Sequence, residues 1–109
     1  MKELEQYQKL ILPVLERYFI KRAAFFGSFA KGTNTSKSDV DLLIEPTKGF
    51  TLFEFFKLEA EISDIIKRKV DLVEYSAIKT SIREEVLSSA ISILWADRTV
   101  FTYRIFSNL

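Results

Sequence analysis

Two segments of this chain are the most informative about its fold: FFGSFAKG at residues 25–32 and SDVDLLIE at residues 38–45. The apolar run that ends at Gly27-Ser28 predicts a strand at residues 20–26, and residues 39–45 predict a second strand. The small and polar residues between the two strands predict a short helical turn followed by a loop. Two carboxylates therefore begin the second strand, after a turn that closes the first.

Asp39 and Asp41 alternate with Val40, so a strand here projects both carboxylates from one face and Val40 from the other. The Cα atoms of the two aspartates would lie about 6.5–7 Å apart, which lets both carboxylates reach a shared ion. Two like charges at this spacing repel each other, and a cation between them relieves the repulsion. Val40, Leu42 and Ile44 make the opposite face apolar, which anchors the pair on a core strand.

The Gly27-Ser28 turn has the character of a phosphate-binding element. Glycine lets the backbone approach a ligand closely, and the amides that open a helical turn favour an anion. Ser28 can add a hydroxyl donor, and Lys31, one turn later, can place a positive charge nearby. The first strand is thus interpreted as binding a triphosphate, while the second supplies carboxylates for a metal ion.

Each of these features also has an ordinary structural explanation. A Gly-Ser pair is typical of a turn, a single Asp-x-Asp is typical of a solvated strand end, and Asp71 alone is typical of an exposed residue on an edge strand. In combination and in this order, the residues favour a site for a nucleoside triphosphate and a divalent cation.

The rest of the chain alternates between helical and strand patterns, which predicts an α/β (or α+β) domain with a single sheet. The first helix, at residues 3–19, contains Pro13, which should kink or restart it. Thr51 and Glu54 form the pattern of a capping box at the start of another helix. The remaining predicted elements are a helix continuing to about residue 68, a strand at 70–74, a helix at 79–89 and a strand at 91–94.

Residues 95–109 are crowded with apolar side chains and leave two interpretations open, an ordinary piece of core or tail and a partner-binding surface. The length of 109 residues predicts one domain over residues 1–109. We expect a cytoplasmic protein, because no signal peptide or membrane-spanning run is present.

Composition removes several mechanisms. The chain has no Cys and no His, which excludes thiolate nucleophiles, imidazole bases and metal sites built on either residue. A metal site made only of carboxylates selects hard cations, chiefly Mg²⁺ or Mn²⁺. The net charge of +1 offers no extended field for nucleic acid or for an anionic membrane. Phosphate binding must therefore come from a local site.

The Gly-Ser and Asp-x-Asp segments, together with RKVDLV at residues 68–73 and IREEVL at residues 82–87, resemble the minimal nucleotidyltransferases of the DNA polymerase β-like superfamily. The resemblance covers about residues 10–94 and leaves residues 95–109 as an extension. It implies a mixed sheet flanked by helices. It also implies that Asp39 and Asp41 ligate metal, that Gly27 and Ser28 bind phosphate, and that Asp71 ligates metal and helps the acceptor hydroxyl lose its proton.

One position departs from that family, because Lys31 stands where relatives commonly carry Arg. Lysine lacks the bidentate fork of arginine, so the triphosphate would be held differently.

The resemblance further implies two Mg²⁺ ions, ATP as the donor of AMP, and a hydroxyl of a partner protein as the acceptor. The implied partner is a small helical HEPN ribonuclease toxin, with this chain as its antitoxin. Two alternatives stay open: a non-catalytic nucleotide-binding module, and a subunit that modifies a small molecule such as an aminoglycoside and completes its site by dimerising. The sequence leaves homo-oligomerisation undecided.

Overall fold

The computed structural model describes residues 2–94, which form a four-stranded sheet with helices on both faces. In chain order the elements are α1 (Lys2–Arg17), β1 (Arg22–Phe26), α2 (Gly27–Lys31), β2 (Val40–Glu45), α3 (Leu52–Ile66), β3 (Val70–Glu74), a 3₁₀ turn (Tyr75–Ala77), α4 (Thr80–Ser89) and β4 (Ile91–Leu94).

The sheet has the strand order β3-β2-β1-β4. Strand β1 runs antiparallel to both β2 and β4, whereas β2 and β3 are parallel and are joined through α3. The sheet is therefore mixed, which confirms the predicted fold class. Register pairs Phe26 with Asp41 and Asp41 with Asp71, so these three residues lie in one row across the sheet.

Alternation along the strands divides the core between the two faces. Ala23 and Phe25 of β1 face the larger core, which contains buried residues of α1 and α3 such as Leu15 and Leu58. Ala24 belongs to a smaller core on the other face, together with Leu43, Tyr75 and Ile78. Both faces of the central strands are covered, which explains why β1 and β2 are nearly continuous apolar runs.

Most element boundaries agree with the sequence predictions to within two residues. The capping box is confirmed: Thr51 Oγ1 accepts from the Glu54 amide at 3.1 Å, and Glu54 Oε1 accepts from the Thr51 amide at 3.4 Å. Strand β1 begins at Arg22 instead of residue 20, because Phe19 adopts a left-handed backbone conformation (φ 56°) that ends the α1 segment.

Pro13 does not restart the first helix, which runs from Lys2 to Arg17 as one element. Pro13 lies on the exposed face, while its neighbours Val14 and Leu15 are buried in the core. Tertiary packing on the opposite face therefore outweighs the single backbone hydrogen bond that proline removes.

Strand β3 lies at an edge of the sheet, and a side chain from α3 occupies part of that edge. Glu59 Oε2 accepts a hydrogen bond from the Leu72 amide at 3.0 Å. Within the described residues, no helix is both long enough and apolar enough to cross a membrane. The prediction for residues 95–109 concerns a part of the chain outside the described residues.

Candidate active site

Three carboxylates gather at the end of the sheet where β1 finishes and β2 and β3 begin. Asp41 is the second residue of β2, Asp71 is its register partner on β3, and Asp39 stands one residue before β2. Asp39 and Asp41 are half-buried, whereas Asp71 is exposed. The structure thus brings together the three aspartates that the sequence singled out.

The Gly27 backbone lies directly against the Asp41 carboxylate. A Cβ atom added at Gly27 would come within 2.2 Å of Asp41 Oδ2 and 3.1 Å of its Cγ. Gly27 also has a φ of +68°, in the left-handed region that glycine adopts most readily. Two independent constraints therefore require glycine at the point where β1 turns into α2.

Asp41 carries the clearest electrostatic signal of the site. Burial raises the pKa of Asp41 to about 6, and the neighbouring charges of Asp71 and then Asp39 add to the shift. Both effects disfavour the ionised form, because low solvation and like charges each penalise a second negative charge. A cation shared by these carboxylates would offset that penalty.

The carboxylates do not converge on one point in this conformation. Among residues 2–94, no three acidic side chains are arranged so that they could hold a metal ion between them as they stand. Asp39 Oδ2 instead lies 3.8 Å from Lys69 Nζ, and Asp41 Oδ2 lies against Gly27. The oxygen donors needed for a hard cation are adjacent, but Asp39 is turned toward a lysine.

The turn after β1 forms a five-residue helix, Gly27–Lys31, which ends at Gly32 in a left-handed conformation (φ 74°). Within this helix the Phe29 side chain is buried in the core and Ser28 is half-buried. Phe26 at the N-cap supplies no side-chain hydrogen bond to the first amides of the helix. Lys31 lies in the last turn and is exposed, close in the chain to Ser28.

Sequence reasoning assigned no role to Arg68 and Lys69, yet both contact the site. Lys69 faces Asp39, and Arg68 Nη2 donates to the carbonyl oxygens of Thr35 and Ser38 at 3.1 and 2.6 Å. The signal available in the sequence was that Arg68 and Lys69 stand three and two residues before Asp71. Their partners lie about thirty residues earlier in the chain, a pairing that requires the β2–β3 register.

Both the sequence and the fold of this chain are similar to those of known nucleotidyltransferases. The sequence profile of the family described as polymerase beta, nucleotidyltransferase, matches residues 9–99. A Methanocaldococcus jannaschii protein, whose name proposes protein adenylyltransferase activity, is 39% identical over 80% of this chain and 92% of its own length.

Two solved structures share the fold. One, described as a candidate minimal nucleotidyltransferase, is 30% identical with a TM-score of 0.74, covering 83% of this chain and 92% of its own. The other is a chain from a Shewanella oneidensis complex of a tri-AMPylated HEPN toxin with an MNT antitoxin. It has a TM-score of 0.65 at 15% identity, over 95% of this chain and 89% of its own, a likeness of fold alone.

Proposed function

The chain belongs to the polymerase beta nucleotidyltransferase family, and on that premise we propose that it transfers AMP from ATP to a hydroxyl group of a partner protein. The observation that supports this proposal most strongly is the row formed by Phe26, Asp41 and Asp71 across three adjacent strands. That row brings the start of the Gly27-Ser28 turn beside two carboxylates. Triphosphate binding and carboxylate chemistry therefore meet at one end of the sheet.

The proposed cofactor is Mg²⁺, held by Asp39 and Asp41 with Asp71 beside them. The donor set fits, because hard divalent cations prefer carboxylate oxygens and the chain contains neither His nor Cys. The raised pKa of Asp41 supports the same assignment, since it reflects burial first and then repulsion from Asp71 and Asp39, and a bound cation would offset both. When bound, the two Mg²⁺ ions proposed for this site would neutralise charge on the phosphates.

In the proposed reaction, the acceptor hydroxyl oxygen forms a bond to the α-phosphorus of ATP while the bond from that phosphorus to the pyrophosphate oxygen breaks. The hydroxyl proton passes to Asp71, which is exposed and thus open to a group on another molecule. The Gly27-Ser28 turn would bind the phosphates, with Ser28 as a hydroxyl donor and Lys31 as a nearby charge. AMP ends on the acceptor, and pyrophosphate leaves.

We further propose that the acceptor belongs to a small helical protein of the HEPN kind and that the present chain acts as its antitoxin. Support comes from the protein adenylyltransferase name of the Methanocaldococcus jannaschii relative and from the fold shared with the chain of the HEPN–MNT complex. The exposure of Asp71 agrees with an acceptor carried on a second protein surface. A site open to water needs another surface to enclose the reacting groups.

The test is to incubate the chain with the product of its neighbouring gene, ATP and Mg²⁺, and to map any modified residue by mass spectrometry. We expect an AMP adduct on a partner hydroxyl, most plainly a tyrosine, and we expect no adduct with Asp39→Asn. An adduct only on a sugar, an antibiotic or RNA would refute the protein acceptor while leaving nucleotidyl transfer intact.

A further inference from the structure

We infer that Arg68 is a positioning residue, which fixes the loop at residues 33–39 so that Asp39 stands beside Asp41 and the Gly27-Ser28 turn. The inference deepens the proposed function and rests on its assignment of Asp39 to metal and nucleotide binding. The guanidinium of Arg68 lies between two parts of the site, the loop that leads into Asp39 and the helix α2 that follows the turn.

The backbone of Arg68 is itself anchored at the end of α3. The Arg68 amide donates to the Ser63 carbonyl at 3.3 Å, and Ser63 Oγ donates to the Arg68 carbonyl at 2.6 Å. Helix α3 ends because Lys67 adopts a left-handed conformation (φ 59°), with the Lys67 amide also directed to the Ser63 carbonyl. Arg68 therefore extends from a backbone that three hydrogen bonds to one residue hold in place.

The side chain of Arg68 reaches the loop from this anchor. Its Nη2 atom donates to the carbonyl oxygens of Thr35 and Ser38, and its guanidinium carbon lies 5.2 Å from the centre of the buried Phe29 ring in α2. Arg68 is half-buried, and its bond to the Ser38 carbonyl is partly shielded from water, whereas its bond to the Thr35 carbonyl is exposed. One planar group thus joins the end of α3 to both the loop and α2.

Both chain neighbours of Asp39 are hydrogen-bonded to the pair Arg68-Lys69. The Ser38 carbonyl accepts from Arg68, and the Val40 amide donates to the Lys69 carbonyl at 2.9 Å. The second bond belongs to the β2–β3 pairing, whereas the first depends on one side chain. Removing the Arg68 side chain leaves Asp39 restrained on the β2 side and by Lys69, while Ser38 on the loop side keeps, among the described residues, only its bonds to Thr35 within the loop.

A released loop must be ordered again whenever Asp39 takes part in binding, and that ordering lowers the affinity. We expect Arg68→Ala to weaken Mg²⁺-dependent ATP binding about tenfold, as the loss of a charge-assisted hydrogen bond does. Arg68→Lys should recover part of this loss, because an ammonium can reach one carbonyl but lacks the planar fork. Amide hydrogen exchange at Thr35 and Ser38 should accelerate in the same order.

The matched control is Arg83→Ala. Arg83 Nη2 also donates to a backbone carbonyl, that of Ile78 at 3.2 Å, but it belongs to α4 on the other face of the sheet. This variant should leave ATP affinity within about twofold of the wild type, while removing an interaction of the same chemistry.

The test measures ATP affinity of the full chain by titration calorimetry, once with Mg²⁺ and once in EDTA, and measures amide hydrogen exchange at Thr35 and Ser38. The inference is overturned if Arg68→Ala binds ATP in Mg²⁺ as tightly as the wild type, or if Arg83→Ala loses as much affinity. If Arg68→Ala does not fold, the ATP affinity of Arg68→Lys is compared with that of Arg83→Ala instead, and an equal affinity overturns the inference. If the wild type neither binds ATP nor transfers AMP, the proposed function fails, and exchange at Thr35 and Ser38 alone then supports or overturns the role of Arg68.

Discussion

At the scale of single residues, the contact between Gly27 and Asp41 joins the turn proposed to bind phosphate to the carboxylates. Gly27 is the first residue of α2, directly after β1, and the space that a Cβ would fill there is occupied by an Asp41 oxygen. The two halves of the sequence motif are therefore in van der Waals contact as well as near each other in the chain. A change at Gly27 acts on the turn and on Asp41 together.

This contact predicts that Gly27→Ala abolishes transfer, and Gly32→Ala is the matched control. Both glycines have positive φ values, +68° and +74°, so alanine should cost each variant about 1–2 kcal/mol of backbone strain. Only at Gly27 would the new Cβ meet a neighbour, since nothing lies within 4 Å of a Cβ built at Gly32. Thermal unfolding should show the larger destabilisation in Gly27→Ala, where the Cβ also meets Asp41, and Gly32→Ala should retain AMP transfer. Equal activity in the two variants would contradict the contact.

Asp41 also predicts a dependence of stability on pH. Its folded pKa of about 6 lies above the ordinary value of 3.8, so the folded state binds this proton more tightly than the unfolded chain does. Ionisation of Asp41 therefore destabilises the fold, with the full penalty above about pH 6 and none below about pH 4. Asp41→Asn should be more stable than the wild type near neutral pH by about 1 kcal/mol, allowing for screening by solvent.

Thermal unfolding at about pH 7.5 and about pH 4 measures that difference without added metal. The gain of Asp41→Asn should shrink toward zero at the lower pH, while transfer is lost. Asp64→Asn, an exposed change on α3, controls for the loss of one negative charge. An Asp41→Asn variant that is less stable than the wild type at neutral pH would contradict the penalty that burial and the neighbouring charges place on ionised Asp41.

At the scale of secondary structure, the placement of Asp71 depends on the edge strand β3. That strand is short, pairs on one side with β2, and has the Leu72 amide satisfied by Glu59 on its other side. Glu59→Ala would leave this amide without its partner and should cost about 1–3 kcal/mol. Because β3 carries Asp71, transfer should fall more than ATP binding does.

The comparison set for this prediction is Glu59→Gln, which keeps an acceptor oxygen, and Glu84→Ala, an exposed change on α4. Unfolding, ATP affinity and the rate of AMP transfer are measured for all three variants. Glu59→Gln should behave much like the wild type, and Glu84→Ala should change little. If Glu59→Ala lowers ATP affinity by the same factor as the rate of AMP transfer, Glu59 contributes to nucleotide binding and the prediction is wrong.

The elements that the sequence predicted well are those fixed by local chemistry. The capping box at Thr51, the strand at residues 70–74 and the short helix after Gly27 each depend on neighbouring residues. The restart of the helix that Pro13 allowed for does not occur, because the effect of proline depends on which face of α1 packs against the core. The row of Phe26, Asp41 and Asp71 and the bonds of Arg68 depend on strand register, which a local pattern does not define.

At the scale of the whole molecule, the proposed active site and a group of exposed apolar side chains on α3 lie toward opposite ends of β2. The carboxylates lie where β2 begins, whereas Leu52, Phe53 and Phe56 are exposed in the first half of α3, which follows the other end of β2. With a net charge of +1, the chain offers no general attraction for nucleic acid. Recognition of an acceptor would have to come from shape and local contacts.

The proposed reaction passes AMP from ATP to a hydroxyl of a partner protein, and ATP labelled at a chosen phosphate distinguishes this reaction from phosphate transfer. The chain is incubated with the product of its neighbouring gene, Mg²⁺, and ATP labelled either at the α phosphate or at the γ phosphate. We expect the partner protein to acquire the α label but not the γ label, and we expect the Asp41→Asn variant to transfer neither label. Transfer of the γ label, or α labelling that persists undiminished in Asp41→Asn, would contradict the proposed reaction.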